Sequence, residues 1–135
     1  MSINKVILLG NVGGDPVIRS TQDGKKIATF SLATSEKWKD KNSSESREKT
    51  EWHRVVVFSD GLVGIIEKYI KKGYKIYVEG KLKTRSWQDK EGNTRYTTEV
   101  LAEELTILSR PDAERAQNDN KPNYSNQGTP TPPQD

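Results

Sequence analysis

A chain of 135 residues with 31% hydrophobic residues and a formal net charge of +3 has room for one small domain, together with polar sequence that cannot fold by itself. It has no cysteine and a single histidine, which excludes disulfides and thiolate zinc sites and leaves too few ligands for a histidine-based centre, so no metal and no cofactor is expected. No apolar run is longer than Val6–Leu9, which is far too short to cross a membrane, and a strand-like run from Ile3 leaves no room for a targeting peptide, so the expected location is the cytoplasm.

Charge is unevenly spread. The last 25 residues hold two basic and four acidic side chains, leaving 20 basic against 15 acidic before Pro111. A basic domain followed by an acidic tail points to a polyanion partner. Residues 111–135 also contain five of the six prolines and no large aliphatic side chain, and are expected to be a disordered Pro/Asn/Gln-rich tail to a domain spanning residues 1–110.

In chain order, Ile3–Asn11 reads as a strand that is apolar on both faces, with Ile3, Ile7 and Leu9 on one and Val6 and Leu8 on the other. In a small domain one of these faces can be covered by another subunit, and Val6 and Leu8 are candidate interface residues. Gly10, Gly13 and Gly14 allow the backbone to bend before Asp15-Pro16; they do not fit a dinucleotide or phosphate-loop spacing. Val17–Ser20 is a short extended piece, Asp23-Gly24 a hairpin signal, and Lys26–Ser35 a strand with Ala28, Phe30 and Leu32 on its apolar face. Lys37–Thr50 is polar, charged and without period, and reads as a long loop. Trp38 at its root is suited either to plugging a barrel end or to stacking against a base.

Thr50–Phe58, TEWHRVVVF, is the most informative strand. Read with period two, His53, Val55 and Val57 make a core face, while Trp52, Arg54 and Phe58 share the other with Val56. Large aromatics beside an arginine on a strand's outer face suit base stacking and phosphate neutralisation. Burial of Trp52 and Phe58 beneath a loop is the alternative. His53 has no second histidine or cysteine to work with, and its parity makes it a packed or interface residue rather than a base.

Ser59–Gly73 reads as a helix with Leu62, Ile65, Ile66, Tyr69 and Ile70 in one stripe, Ser59 or Asp60 at its start and Gly73 at its stop. Tyr74–Trp87 alternates cleanly: Ile76, Val78 and Leu82 point one way, and Tyr77, Glu79, Lys81, Lys83, Arg85 and Trp87 the other. Lys83, Arg85 and Trp87 repeat the pairing of cations with an indole, and Tyr77 on a charged face is a candidate interface residue. A turn at Gln88–Asn93 leads to a last strand or pair of strands over Thr94–Leu108. Strand, strand, strand, helix, strand, strand is the order of an oligonucleotide-binding (OB) barrel, mainly all-β: five strands in a Greek key with one helix between strands 3 and 4.

Five segments, NKVILLGNVGGDP (Asn4–Pro16), FSLATSEKW (Phe30–Trp38), TEWHRVVVF, YIKKGYKIYVEGKLKTRSW (Tyr69–Trp87) and RYTTEV (Arg95–Val100), cover most of residues 3–108. In this set and order they resemble the bacterial single-stranded DNA-binding proteins of homotetrameric type. The resemblance implies an OB fold, a tetramer, and base stacking by Trp38, Trp52, Phe58 and Trp87. It also implies backbone contacts from Lys5, Arg19, Lys41, Arg54, Lys72 and Arg85, and a place for His53 near a subunit interface. The chain departs from the pattern at Ser59-Asp60 and Ser86, where basic residues are expected, and in ending TPTPPQD rather than in an acidic tip closed by Pro-Phe. The expected function is therefore sequence-tolerant binding and protection of single-stranded DNA in replication, recombination and repair, by a non-enzymatic, nucleoid-associated protein. Replication and repair proteins are partners only where an acidic tip is present. An OB-type RNA chaperone or primosome accessory factor is the alternative; a nuclease is disfavoured because no carboxylate pair has recognisable metal-site spacing.

Overall fold

The computed structural model describes residues 1–111, so the expected tail lies almost wholly outside the described residues. β-Branched and aromatic runs become strands in the order β1 (Val6–Val12), β2 (Val17–Ser20), β3 (Lys26–Lys39) and β4 (Ser46–Val57). Helix α1 (Asp60–Tyr69) follows, then β5 (Lys75–Gln88) and β6 (Thr94–Ser109). The sheet runs β1-β5-β6-β4-β3-β2, and β1 also pairs with β3 through Asn11↔Ala33 and Val12↔Leu32. That second pairing closes five strands into a barrel and leaves β2 as a short flap on β3. All neighbours are antiparallel except β4 and β6, which meet in parallel at Val55↔Val100 and Val56↔Leu101. This is the OB barrel, with the helix between the third and fourth barrel strands.

The interior follows from strand alternation. Ala28, Phe30 and Leu32 from β3, Val55 and Val57 from β4, and Ile76 and Val78 from β5 are buried together. Each large aliphatic group removed from water contributes about 1.5–3 kcal/mol. Gly80 lets two strands approach closely, since a Cβ there would stand 2.1 Å from the Leu101 carbonyl oxygen. Next to it the β5–β6 register shifts from Gly80↔Ala102 to Glu79↔Glu104, leaving Glu103 as an extra residue on β6. The bulge moves the core-facing parity of β6 from Val100 and Ala102 to Leu105 and Ile107, so one strand reads as two in the sequence.

Three other expectations change. The stretch read as a loop over Lys37–Thr50 is mostly a hairpin arm: β3 and β4 stay paired through Glu36↔Lys49, Lys37↔Glu48, Trp38↔Arg47 and Lys39↔Ser46. The arm projects past the barrel, so neither of its faces is buried and period-two hydrophobicity cannot announce it. The helix stops at Tyr69, with Ile70 already extended, and Gly73 (φ 93°) serves the following turn. Its buried side is Val63, Ile66 and Ile70 with Leu62 beside them, while Ile65 and Tyr69 are exposed. Ser59 occupies the N-cap without a side-chain capping bond; its carbonyl accepts from Val63 N–H at 2.8 Å.

Candidate nucleic-acid interface

The outer face of β4 carries Trp52 and Arg54, both exposed, with Phe58 exposed just past the strand; Val56, of the same parity, is buried. The Trp52 indole lies against Gly13, where a Cβ would stand 2.3 Å from Cζ3. Gly13 thus does more than bend the chain: its missing side chain is the seat of the ring. Beside them is a shallow pocket of about 270 Å³ bordered by Gly13, Asp15, Thr29, Ser31, Trp52 and Arg54.

From Arg54 a chain of polar contacts crosses three strands. Arg54 Nε–H donates to Glu99 Oε2 at 2.5 Å, and Arg85 Nε–H donates to Glu99 Oε1 at 3.2 Å. Two residues before Glu99 on β6, Thr97 Oγ1 accepts the Trp87 Nε1–H at 2.9 Å. Arg54, Arg85 and Trp87 are thereby joined by β6, which runs between β4 and β5, and Trp52 stands beside Arg54 on the same face of β4. Glu99 is 9% exposed, the one buried charged residue among the described residues. Burial pushes its carboxyl up, but the Arg54 and Arg85 hydrogen bonds outweigh that and hold it below the ordinary glutamate range.

Both hairpin arms end in the same kind of turn. Asp40 Oδ1 accepts Asn42 N–H at 2.9 Å, and its Oδ2 accepts Arg47 Nε–H at 3.1 Å. Asp89 Oδ1 accepts the N–H groups of Glu91 and Asn93, and its Oδ2 accepts Arg95 Nε–H at 3.1 Å. Backbone N–H donation (from Asn42 and from Asn93), with the arginine behind it, lowers both carboxyl pKa values. Each aspartate fixes its arm's tip and the arginine returning from it.

The remaining expected residues are distributed as follows. Trp38 is exposed on the β3–β4 arm but, by register, shares the ribbon face of Leu32 and His53, opposite Trp52 and Arg54. Arg19, Lys41, Lys72 and Lys83 are exposed; Arg19 sits on the β2 flap, Lys41 in the arm's turn and Lys83 on the face of Arg85. Lys72 lies in the turn after the helix, its backbone N–H donating to Asp15 Oδ1. Lys5 is ion-paired with Glu79 at 3.0 Å, which raises its pKa and turns it toward Tyr77 and Glu79 on β5. His53 Nε2 is bonded to Thr34 Oγ1 at 2.8 Å. Val6 and Leu8 pack on the core, whereas Ile7 and Leu9 of the same strand are exposed. Among the described residues, no group of three or more His, Cys, Asp or Glu side chains could hold a metal ion.

The sequence alone does not single out Glu99, Thr97 and Gly13, whose roles exist only through contacts with distant strands, or Tyr96, which is 72% exposed on β6. For Tyr96 the one available signal is an aromatic among the polar residues of RYTTEV.

Comparison with known proteins decides the relationship. A model described as the single-strand binding protein family matches residues 3–108. The chain belongs to that family. A single-stranded DNA-binding protein of Rhizobium meliloti is 64% identical over 100 residues, covering 74% of this chain and 58% of that protein. One from Rickettsia typhi is 62% identical over 100 residues, covering 66% of its length. Against these relatives the chain accounts for less than two thirds of the full protein. Single-stranded DNA-binding protein 1 of Xylella fastidiosa is 54% identical over 109 residues, covering 79% of it. A solved chain from a Plasmodium falciparum SSB complex with ssDNA superposes with a TM-score of 0.74 at 42% identity, covering 81% of this chain and 97% of that one. No helix among the described residues is long and apolar enough to cross a membrane.

Proposed function

We propose that the barrel binds single-stranded DNA without regard to sequence, protecting exposed strands during replication, recombination and repair. The observation that carries this reading is the surface on which Arg54 and Arg85 are tied through Glu99 and Trp87 is held by Thr97, with Trp52 exposed two residues before Arg54 on β4. Indoles offer a face to any base and guanidinium groups meet phosphates, and neither stacking nor a phosphate contact carries sequence information. Trp38, Phe58, Arg19, Lys41, Lys72 and Lys83 extend the path around the barrel and onto the arms. The family's naming and the DNA-bound neighbour support the reading. The role is binding rather than catalysis, carried by residues 1–110 of a nucleoid-associated cytoplasmic protein.

The working form is a homotetramer, supported on physical grounds by the exposed Ile3, Ile7 and Leu9 and by Tyr77 on a charged face; the number four follows the family resemblance. Recruitment of replication and repair proteins belongs to forms carrying an acidic C-terminal tip.

Titration of tryptophan fluorescence with poly-dT, poly-rU and duplex DNA at two salt concentrations tests the function. Strong quenching by poly-dT that weakens with salt, with little response to duplex, is the expected result. Duplex binding as tight as single-strand binding would overturn it, and preference for poly-rU would favour an RNA chaperone.

A further inference from the structure

The two arginines of the candidate interface do not act as independent surface cations. Arg54 on β4 and Arg85 on β5 both donate Nε–H to one carboxylate, Glu99, which stands on the intervening β6. The arginine side chains are about half exposed (51% and 49%), whereas that of Glu99 is 11% exposed. The carboxylate therefore lies beneath the guanidinium groups and holds each by its Nε–H, leaving the Nη N–H donors of each group for other partners.

A negative charge under a polyanion-binding surface has an evident electrostatic cost. If charge alone governed this surface, the residue best suited to that position would be neutral. The geometry supplies the compensating effect. Arginine side chains are long and rotamer-rich, and two of them converging from the strands on either side of β6 repel one another and would splay into solvent. The shared carboxylate offsets that repulsion and fixes both groups before a ligand arrives, so less conformational freedom is lost on binding.

We propose that Glu99 is a positioning residue for nucleic-acid binding: it presents the Arg54 and Arg85 guanidinium groups as a fixed pair to successive phosphates of a single strand, without touching the strand. Thr97, two residues earlier on the same strand, orients Trp87 by accepting its Nε1–H, so the outward side of β6 is a scaffold for cations and an indole supplied by its neighbours. The inference rests on the single-strand-binding function proposed for this surface and deepens it.

Two substitutions separate positioning from charge. Glu99→Gln removes the negative charge and replaces one of the two acceptor oxygens with an NH2 donor, so one arginine loses its partner and the other keeps a weaker, uncharged one. Glu99→Asp keeps the charge but shortens the reach. Both are measured by poly-dT titration over a range of salt concentrations, at a temperature where circular dichroism shows each variant folded. Positioning predicts that both bind about tenfold more weakly than the natural chain. It also predicts that log K falls less steeply with log salt, by about 0.7 for each phosphate of a single strand that is no longer neutralised. A role confined to holding the strands together would lower the melting temperature but leave the slope of the folded protein unchanged, and that result would overturn the proposal. Tighter binding by Glu99→Gln together with unchanged binding by Glu99→Asp would show that Glu99 is only an opposing charge and overturn it as well. Should Glu99→Gln not fold, Glu99→Asp decides alone: natural affinity and slope overturn the proposal, and reduction of both upholds it. Failure of the unmodified chain to bind poly-dT would instead sink the reading on which the inference depends.

Discussion

Gly13 and Trp52 fit together by subtraction: the indole edge occupies space that any side chain at position 13 would take, with Cζ3 only 2.3 Å from where a Cβ would stand. Gly13 is not among the residues with positive φ, so alanine is compatible with the backbone there and its effect acts through the ring. Stacking on an aromatic is worth roughly 1–3 kcal/mol per base. Gly13→Ala should displace the indole and weaken poly-dT binding by about 1 kcal/mol, toward the lower part of that range, while Trp52→Ala should lose the larger share. A folded Gly13→Ala protein with undiminished fluorescence quenching and affinity would show that the seat has no bearing on binding.

The helix provides a test of packing. Ile65 and Ile66 are adjacent and chemically identical, yet Ile66 is 0% exposed and Ile65 40%. Ile66→Ala should cost about 2–5 kcal/mol by opening a cavity, and Ile65→Ala within about 0.5 kcal/mol, as for an ordinary surface change. Chemical denaturation of both variants reads the difference. Equal losses would mean that the helix is rotated or that Ile65 is covered in the assembly.

Much of this architecture is written in period-two patterns, and it fails to be legible where those patterns have no cause to exist. β3, β4 and the first half of β5 bury one face in the barrel, so their alternation shows directly. The β3–β4 arm buries neither face, and its strands look like loop. β6 changes parity at the bulge beside Gly80, which the sequence registers only as a loss of order. In the helix a stripe through Ile65 and Tyr69 fits the residue spacing as well as the true one through Val63, because a ten-residue helix has several apolar residues and only the barrel end chooses among them. At the candidate interface, Trp52, Arg54, Arg85 and Trp87 stand out because indoles beside arginines are unusual on an outer strand face. Glu99 does not, since a glutamate in a strand reads as solvent-facing until the two arginines from other strands are brought to it.

The cations on this surface should differ in their contribution to salt dependence. Lys83 is exposed on the face of Arg85, whereas Lys5 is paired with Glu79 at 3.0 Å near Tyr77. For single strands the slope of log K against log salt changes by about 0.7 per neutralised phosphate. Lys83→Ala should flatten the slope by about that amount, and Lys5→Ala should leave it unchanged. A Lys5→Ala slope as shallow as that of Lys83→Ala would place Lys5 on the strand's path and show that its ion pair breaks on binding.

Two glutamates should respond to pH in opposite directions. Glu79 and Glu104 face each other across β5 and β6, and hydrogen bonding to Glu79 with its repulsion raises the Glu104 pKa. The folded chain thus holds the Glu104 proton to higher pH than the unfolded chain, and this site loses stability as pH rises from the unfolded value through the folded one. Glu99 is lowered, so its contribution is present above the unfolded glutamate pKa and is lost as pH falls through the folded value. Glu104→Gln should therefore raise the melting temperature at pH 7 and have little effect near pH 4. An equal shift at both values would mean that the pair carries no proton linkage.

The two faces of β1 have separate fates: Val6 and Leu8 pack against the core, while Ile7 and Leu9 stand more than half exposed, close to Ile3 in sequence. Three large aliphatic groups on the outside of a chain with so few are the kind of surface that association covers. The two faces should respond differently to substitution. Leu8→Ala leaves a gap beside the core and should lower fold stability, by about 2 kcal/mol or somewhat less for a partly buried leucine. Ile7→Glu puts a charge where a second copy would pack, and it should leave the barrel's circular dichroism intact while shifting the mass from four copies toward two or one. Sedimentation equilibrium at micromolar concentration reads the outcome. A natural chain that sediments as a monomer removes the tetramer altogether. An Ile7→Glu variant that remains tetrameric would leave the tetramer standing but move its interface away from β1, toward the β5 face that carries Tyr77.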